Sequence, residues 1–270
     1  YTWRDDLKKC VTYTEDCHLK YGEHVIGRKG DTKYVSYCDC VEGYVWNYNN
    51  SQCIPKFKAF IDFFAHANFV SFILGSFPIL IWFLVLVLVS KKFKTNLSRK
   101  TCLKLFLTGI LITLFAFCVE YVYSKLLRVD LVDPNVSLSV LNIILVCGGI
   151  AITEELTKFF GAFFILKKNK HFDKTIDATI YLIVLALGFA LVENILVAVQ
   201  DFYTGNTLPS VLSIMVLRFI GANLLHILSS GIIGFFWALS LIRHRQKYLI
   251  IGLSLGILLH AIFDIIIAML

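Results

Sequence analysis

Hydrophobic residues recur here in long unbroken runs rather than at helical or strand spacing. Six runs are long enough to cross a bilayer. They cover residues 69–89, 103–123, 138–166, 176–199, 211–242 and 248–270. The fifth, at 32 residues, reads either as one tilted helix or as a helix broken near Gly221 or Gly231. An amphipathic stretch, 57–68, precedes the first run and reads as interfacial. The pattern predicts an all-α polytopic membrane bundle of about six helices behind a small, polar, disulfide-rich head. The expected organisation is a head over 1–56, an interfacial segment with two helices over 57–137, and a helical bundle over 138–270.

Composition agrees. The 270 residues are 57% hydrophobic and 17% charged, against the roughly 25% charged residues of an ordinary soluble domain. The net charge of +7 is unevenly placed. Arg4, Lys8, Lys9, Lys20, Arg28, Lys29, Lys33 and Lys56 balance the head acids Asp5, Asp6, Glu15, Asp16, Glu23, Asp31, Asp39 and Glu42. The excess therefore sits in short loops between apolar runs. There it sets membrane orientation, and it argues against nucleic-acid binding. Lys91, Lys92, Lys94, Arg99, Lys100 and Lys104 follow the first run. Lys167, Lys168, Lys170 and Lys174 follow the third, and Arg243, Arg245 and Lys247 the fifth. These loops read as cytoplasmic, with the head and the C-terminus outside the cell membrane.

Five of the eight cysteines, Cys10, Cys17, Cys38, Cys40 and Cys53, fall in the head. This density suggests disulfides standing in for a core, with one thiol left over. A zinc site using His18 and His24 is the alternative. The run from Cys38 to Cys53 resembles small extracellular EGF-like modules, with the Gly43-Tyr44 turn and Trp46 against the bridges. The pairing expected is Cys17–Cys38 and Cys40–Cys53, with Cys10 free or intermolecular. A chain beginning at Tyr1 fits removal of a signal peptide, and the head would bind rather than catalyse. Cys102, Cys118 and Cys147 read as buried thiols in the spans.

Ionisable groups inside spans are expensive, so each is a functional candidate. The third run carries Glu154, Glu155 and Lys158, the fourth Glu193 beside Asn194, the fifth Arg218, Asn223 and His226, and the sixth His260 and Asp264. Measured from the cytoplasmic ends, Glu154 and His260 lie roughly 18 Å deep and His226 roughly 24 Å. Glu154 and Lys158 share a face at i,i+4, as do His260 and Asp264, while Glu155 is turned about 100° away. Taken singly, the ion pair reads as structural and each histidine as an interhelical hydrogen bonder. Arg218 reads as a counter-ion for Glu155 or Glu193, and Glu120 and Asp62 as solvated near span ends. Together the carboxylates and histidines suit proton handling.

Glu154-Glu155-x-x-Lys158 resembles the paired-glutamate motif of PrsW-type intramembrane proteases. Phe189-x-x-x-Glu193-Asn194, His226 with Gly231, and His260-x-x-x-Asp264 are similar to their other motifs, in order, each within an apolar run. The related CAAX-type and Abi-type proteins carry EExxxR, FxxxH and HxxxN/D. Here Lys158 stands one residue early, and Glu193 takes the place of a histidine.

The resemblance implies peptide-bond hydrolysis at the membrane, on a membrane-anchored, single-span protein substrate. It makes Glu154 the general base, Glu155 a second acid–base or ligand carboxylate, and Asn194 a donor to the oxyanion. Asp264 orients His260. Glu193, His226 and His260 form the set expected to hold a divalent metal, zinc foremost. The alternative is a glutamate-dependent site without metal, in which the histidines position water. Two rival classes remain. A proton-coupled transporter or channel would show an internal repeat, and none is visible. A noncatalytic scaffold would lack a motif residue, and every position is filled.

Overall fold

The computed structural model describes residues 2–4, 7–29, 36–47, 51–55, 57–58, 61–62, 69–93, 95, 97–127, 139–167 and 175–269. Most of the expected interfacial stretch, and the loop with His171 and Asp173, lie outside the described residues. Two compact units are present. One is Tyr1–Phe72 with Val197–Leu212, and the other is Ile73–Leu196 with Ser213–Leu270.

In the first unit, β1 (Thr2–Arg4) pairs with β2 (Lys9–Val11), β3 (Val25–Lys29) with β4 (Ser36–Cys40), and β5 (Tyr44–Asn47) with β6 (Gln52–Pro55), all antiparallel. Helix α1 (Tyr13–Tyr21) starts at a capping box. The Glu15 N–H donates to Thr12 Oγ1 and the Thr12 N–H to Glu15 Oε2. Two-stranded ribbons this short do not hold themselves together. Here disulfides Cys17–Cys38 and Cys40–Cys53 tie α1 to β4 and β4 to β6, as expected. Cys17, Val25 and Cys53 form the buried centre, with Tyr21 and Trp46 packed edge to face at 5.0 Å. The bridges remove the thiolates that a zinc site would need, which overturns the zinc alternative for the head. Cys10 is free and exposed. Asp16 is bonded by Lys20 and Arg4, whose positive charges hold its carboxyl below the usual range despite some desolvation.

The apolar runs form helices α2 (Phe69–Lys92), α3 (Arg99–Leu126), α4 (Val140–Leu166), α5 (Thr175–Tyr203), α6 (Leu208–Ile220), α7 (Ala222–Ile242) and α8 (Lys247–Met269). Counted with α6 and α7 as one, six helices among the described residues are long and apolar enough to span a membrane. Ser98 and Ser139 cap α3 and α4 by accepting from Thr101 N and Asn142 N. The fifth run is broken at Gly221, the first of the two places expected. Cys102 is half-buried and Cys118 exposed, so of the three span thiols only Cys147 is buried as expected.

Helix α5 is the central one. Two thirds of its apolar stretch is buried, against 17–28% in the others. Its small residues allow this, since lipid gives little drive to associate and close packing must supply it. A Cβ on Gly188 would run into the Phe106 carbonyl of α3, and one on Gly109 of α3 into the Leu185 carbonyl. Around α5 pack Ile79 of α2, Leu105 of α3, Phe159 of α4, and Ile233 and Trp237 of α7. Helix α4 also packs along α3 and α8, and α7 along α8. This arrangement turns the polar faces of α4, α5, α7 and α8 toward one another.

Candidate active site

Lys158 is the hub. Its side chain is 1% exposed. Its Nζ lies 3.0 Å from Glu154 Oε2, 3.0 Å from Glu155 Oε1 and 2.8 Å from His226 Nδ1. The Phe189 ring centroid of α5 is 4.4 Å away, within cation–π range. Glu154 and Lys158 pair as their i,i+4 spacing predicts. Glu155 is also reached, at i,i+3, because the flexible lysine stem sits between the two acidic faces of α4.

Glu155 is fully buried and saturated. Its Oε1 also takes His260 Nδ1 at 2.8 Å and Ser229 Oγ at 3.0 Å, and its Oε2 takes Ser230 Oγ at 3.5 Å. Glu154 keeps 6% of its side-chain exposure and is hydrogen-bonded through Oε2 to Lys158. His260 Nε2 lies 3.7 Å from Glu154 Oε2 and 3.5 Å from Asp264 Oδ2. The carboxylate that holds the His260 ring is therefore Glu155, with Asp264 farther off, rather than Asp264 alone as the spacing suggested.

The tautomers follow from the donors. An ammonium only donates, so His226 Nδ1 accepts, and its Nε2–H donates to Glu193 Oε2 at 2.8 Å. A carboxylate only accepts, so His260 Nδ1–H donates to Glu155, and Nε2 is left between Glu154 and Asp264. The two imidazoles meet edge to face at 5.3 Å.

On the other side, Arg218 Nη2 donates to Glu193 Oε2 at 3.1 Å and Nε to Asn194 Oδ1 at 2.6 Å. Of the two counter-ion partners expected for Arg218, the structure selects Glu193. Asn194 Nδ2 donates to the Gly75 carbonyl at 3.4 Å, so both ends of the amide expected at the oxyanion are engaged. Glu120 lies deeper than a solvated span end. Its Oε1 is buried without a partner among the described residues.

Donor atoms from Glu154, Glu155, His226 and His260, all buried, lie within 4.8 Å of one another. That set, two carboxylates and two imidazoles, fits a divalent cation in chemistry. Glu193 stands outside this set, bonded to His226 and Arg218. Lys158 occupies lone pairs on three of the four residues, and a metal held there has to displace its ammonium. The spacing of single motif residues did not disclose Ser229 and Ser230. They sit three and four residues after His226, and reading that helical face for polar groups finds both.

The profile of the family described as "PrsW family intramembrane metalloprotease" matches residues 98–270. The match takes in α3 as well as the four motif-bearing helices. Three relatives, each described as "Protease PrsW", resemble the chain. The protein of Halalkalibacterium halodurans is 32% identical over 41% of this chain and 48% of its own length. That of Geobacillus kaustophilus is 27% identical over 60% and 64%, and that of Oceanobacillus iheyensis 26% over 61% and 68%. The chain thus spans about half to two thirds of the length of these curated relatives. No solved structure matches it. With its paired glutamates, Glu193-Asn194, His226 and His260 all inside the matched region, the chain belongs to the PrsW protease family.

Proposed function

We propose that this protein is an intramembrane endopeptidase that hydrolyses a peptide bond of a membrane-anchored, single-span protein. The observation that carries the reading is the convergence of Glu154, Glu155, His226 and His260 within 4.8 Å, from helices α4, α7 and α8. Several buried acids and imidazoles at one point are expensive to maintain in a bilayer and find their use in chemistry.

Glu154 is the general base. It retains exposure, while Glu155 is saturated by four donors. Glu154 takes a proton from water as the water oxygen bonds to the scissile carbonyl carbon, and the carbonyl π pair moves onto its oxygen. The C–N bond then breaks, the proton passes from Glu154 to the departing nitrogen, and a carboxyl and an amine result. His260, held by Glu155 through Nδ1, presents its Nε2 beside Glu154, where it hydrogen-bonds the water. Lys158 offsets the paired carboxylates, and Arg218 with Glu193 fixes His226. A divalent metal on the four donors, zinc being the one this set suits, would polarise the carbonyl and acidify the water. By the distribution of Lys and Arg, the basic loops face the cytoplasm, with the head and C-terminus outside.

The test is cleavage of candidate single-span substrates in the same membrane by Glu154→Gln, Glu155→Gln, His226→Ala and His260→Ala, with protein levels matched. Loss of cleavage in all four is expected. Unimpaired cleavage in all four ends the proposal.

A further inference from the structure

The run that the sequence presents as one long helix stops and restarts at Gly221, where φ is −92° and ψ −88°. The break is small. The Gly221 N–H still donates to the Leu217 carbonyl at 2.8 Å, and the Leu225 N–H to the Gly221 carbonyl at 2.9 Å. Between them the helical ladder is lost. The indole Nε1–H of Trp82 donates at 3.2 Å to the Phe219 carbonyl, one of the groups left over on the α6 side. On the α7 side no side chain among the described residues caps the helix. Among the described residues, the N–H groups of Ala222, Asn223 and Leu224 have no backbone acceptor.

Asn223 stands in that same first turn. It is 0% exposed, and among the described residues neither Oδ1 nor Nδ2 has a hydrogen-bond partner. Buried amides without any partner are rare in folded proteins, and each asks for an explanation. The Cα–Cβ bond of a helical residue leans toward the helix N-terminus, so this amide tilts toward the uncapped N–H groups. His226 follows three residues later on the same face. Its ring meets that of His260, which lies 3.7 Å from Glu154.

We infer that the start of α7, with the Nδ2–H₂ of Asn223, binds the carbonyl oxygen of the scissile peptide and the negative charge that develops on it. The inference rests on the protease reading above. A helix N-terminus carries a partial positive charge and aimed N–H donors, which is what an anionic oxygen requires. Broken helices at membrane depth serve anionic groups in this way elsewhere. Asn194 does not supply this donor, because Arg218 and Gly75 already hold its amide.

Asn223→Leu separates this role from a structural one. An apolar side chain of similar volume relieves an unpaired amide, so thermal stability in detergent is expected to rise. On a single-span substrate that the wild type cleaves, kcat should fall about 10²- to 10³-fold, the loss typical of one oxyanion donor, with KM little changed. Asn223→Ser keeps a donor and should recover part of kcat. A variant that loses stability, or one that keeps the wild-type kcat, overturns the inference. Glu154→Gln is assayed alongside. If it cleaves like the wild type, the Glu154-centred site on which the inference rests has failed. If it is inactive while Asn223→Leu is fully active, only the oxyanion assignment has failed.

Discussion

The ammonium of Lys158 lies 2.8 Å from Nδ1 of His226, closer than it lies to either glutamate of its own helix. The contact fixes the histidine tautomer and places a protein cation where a metal would sit. Removing one partner of a buried charge cluster costs about 3–5 kcal/mol, because the other charges lose their offset. Lys158→Met should therefore lower the melting temperature in detergent sharply in the presence of a chelator. Zinc should restore more of the stability in this variant than in the wild type, since the competing ammonium is gone. Equal melting of the variant and the wild type would show that the contact carries little energy.

Metal removal separates two versions of the site. If a metal takes the four donors, wild-type cleavage should fall on treatment with a chelator and return with added zinc. Cleavage indifferent to chelation would leave Lys158 as the resident cation, with Glu154 activating water unaided.

Arg218 touches Glu193 and Asn194 but none of the four clustered residues, so it acts by positioning. Arg218→Lys keeps the charge and loses the planar fork. The expected result is a fall in kcat of roughly ten- to a hundredfold, the worth of one or two charge-assisted hydrogen bonds, with KM less affected. Nitrogen NMR of labelled histidine should show the His226 Nε2 signal shifting as Glu193, no longer held by the guanidinium, loosens its bond to the ring. An unchanged spectrum would sink this account.

Packing around the central helix is testable apart from the chemistry. Gly188→Ala puts a methyl group against the Phe106 carbonyl, and should destabilise by about 1–3 kcal/mol as an overpacked contact. Gly148→Ala meets open space in the interior of α4, and should stabilise by roughly 0.5–1 kcal/mol through helix propensity. Paired thermal melts decide between them.

The head offers a pH test. Asp16 is held below its unfolded value by Lys20 and Arg4. Its contribution is therefore complete above the unfolded value, and disappears as the pH falls through the folded one. Pepsin digestion of the intact chain below about pH 4 should cut the head of the wild type progressively faster as the pH drops. Asp16→Asn should be cut faster already at the upper end of that range, and should show a shallower dependence.

Much of this was legible in the residue pattern. Runs of apolar residues located the spans, and charges within them located the cluster, because both follow from burial in lipid. The i,i+4 rule found Glu154 with Lys158, yet it missed Lys158 reaching Glu155. Spacing on one helix describes backbone positions, while a four-carbon stem chooses among neighbours in three dimensions. The same rule offered Asp264 to His260, but the nearer carboxylate comes from α4, far away in sequence. Glu120 looked terminal because its run was expected to end at residue 123. The helix continues to Leu126 and buries one of its oxygens. The Gly221 break appeared only as one of two places, since glycine permits a break without requiring one.

The partners of the buried charges also bear on how the chain enters the bilayer. Lys158 neutralises acids of its own helix, and Arg218 of α6 meets Glu193 on α5, the helix synthesised just before it. An isolated charge at a helix centre costs about 2.5–3.5 kcal/mol on insertion. With this ordering, each fixed cation finds a carboxylate on the same or the adjacent segment. The two histidines, able to enter neutral, are the only members of the cluster that wait for distant partners. Insertion can proceed in chain order, and α8, which follows α7, brings His260 and completes the site.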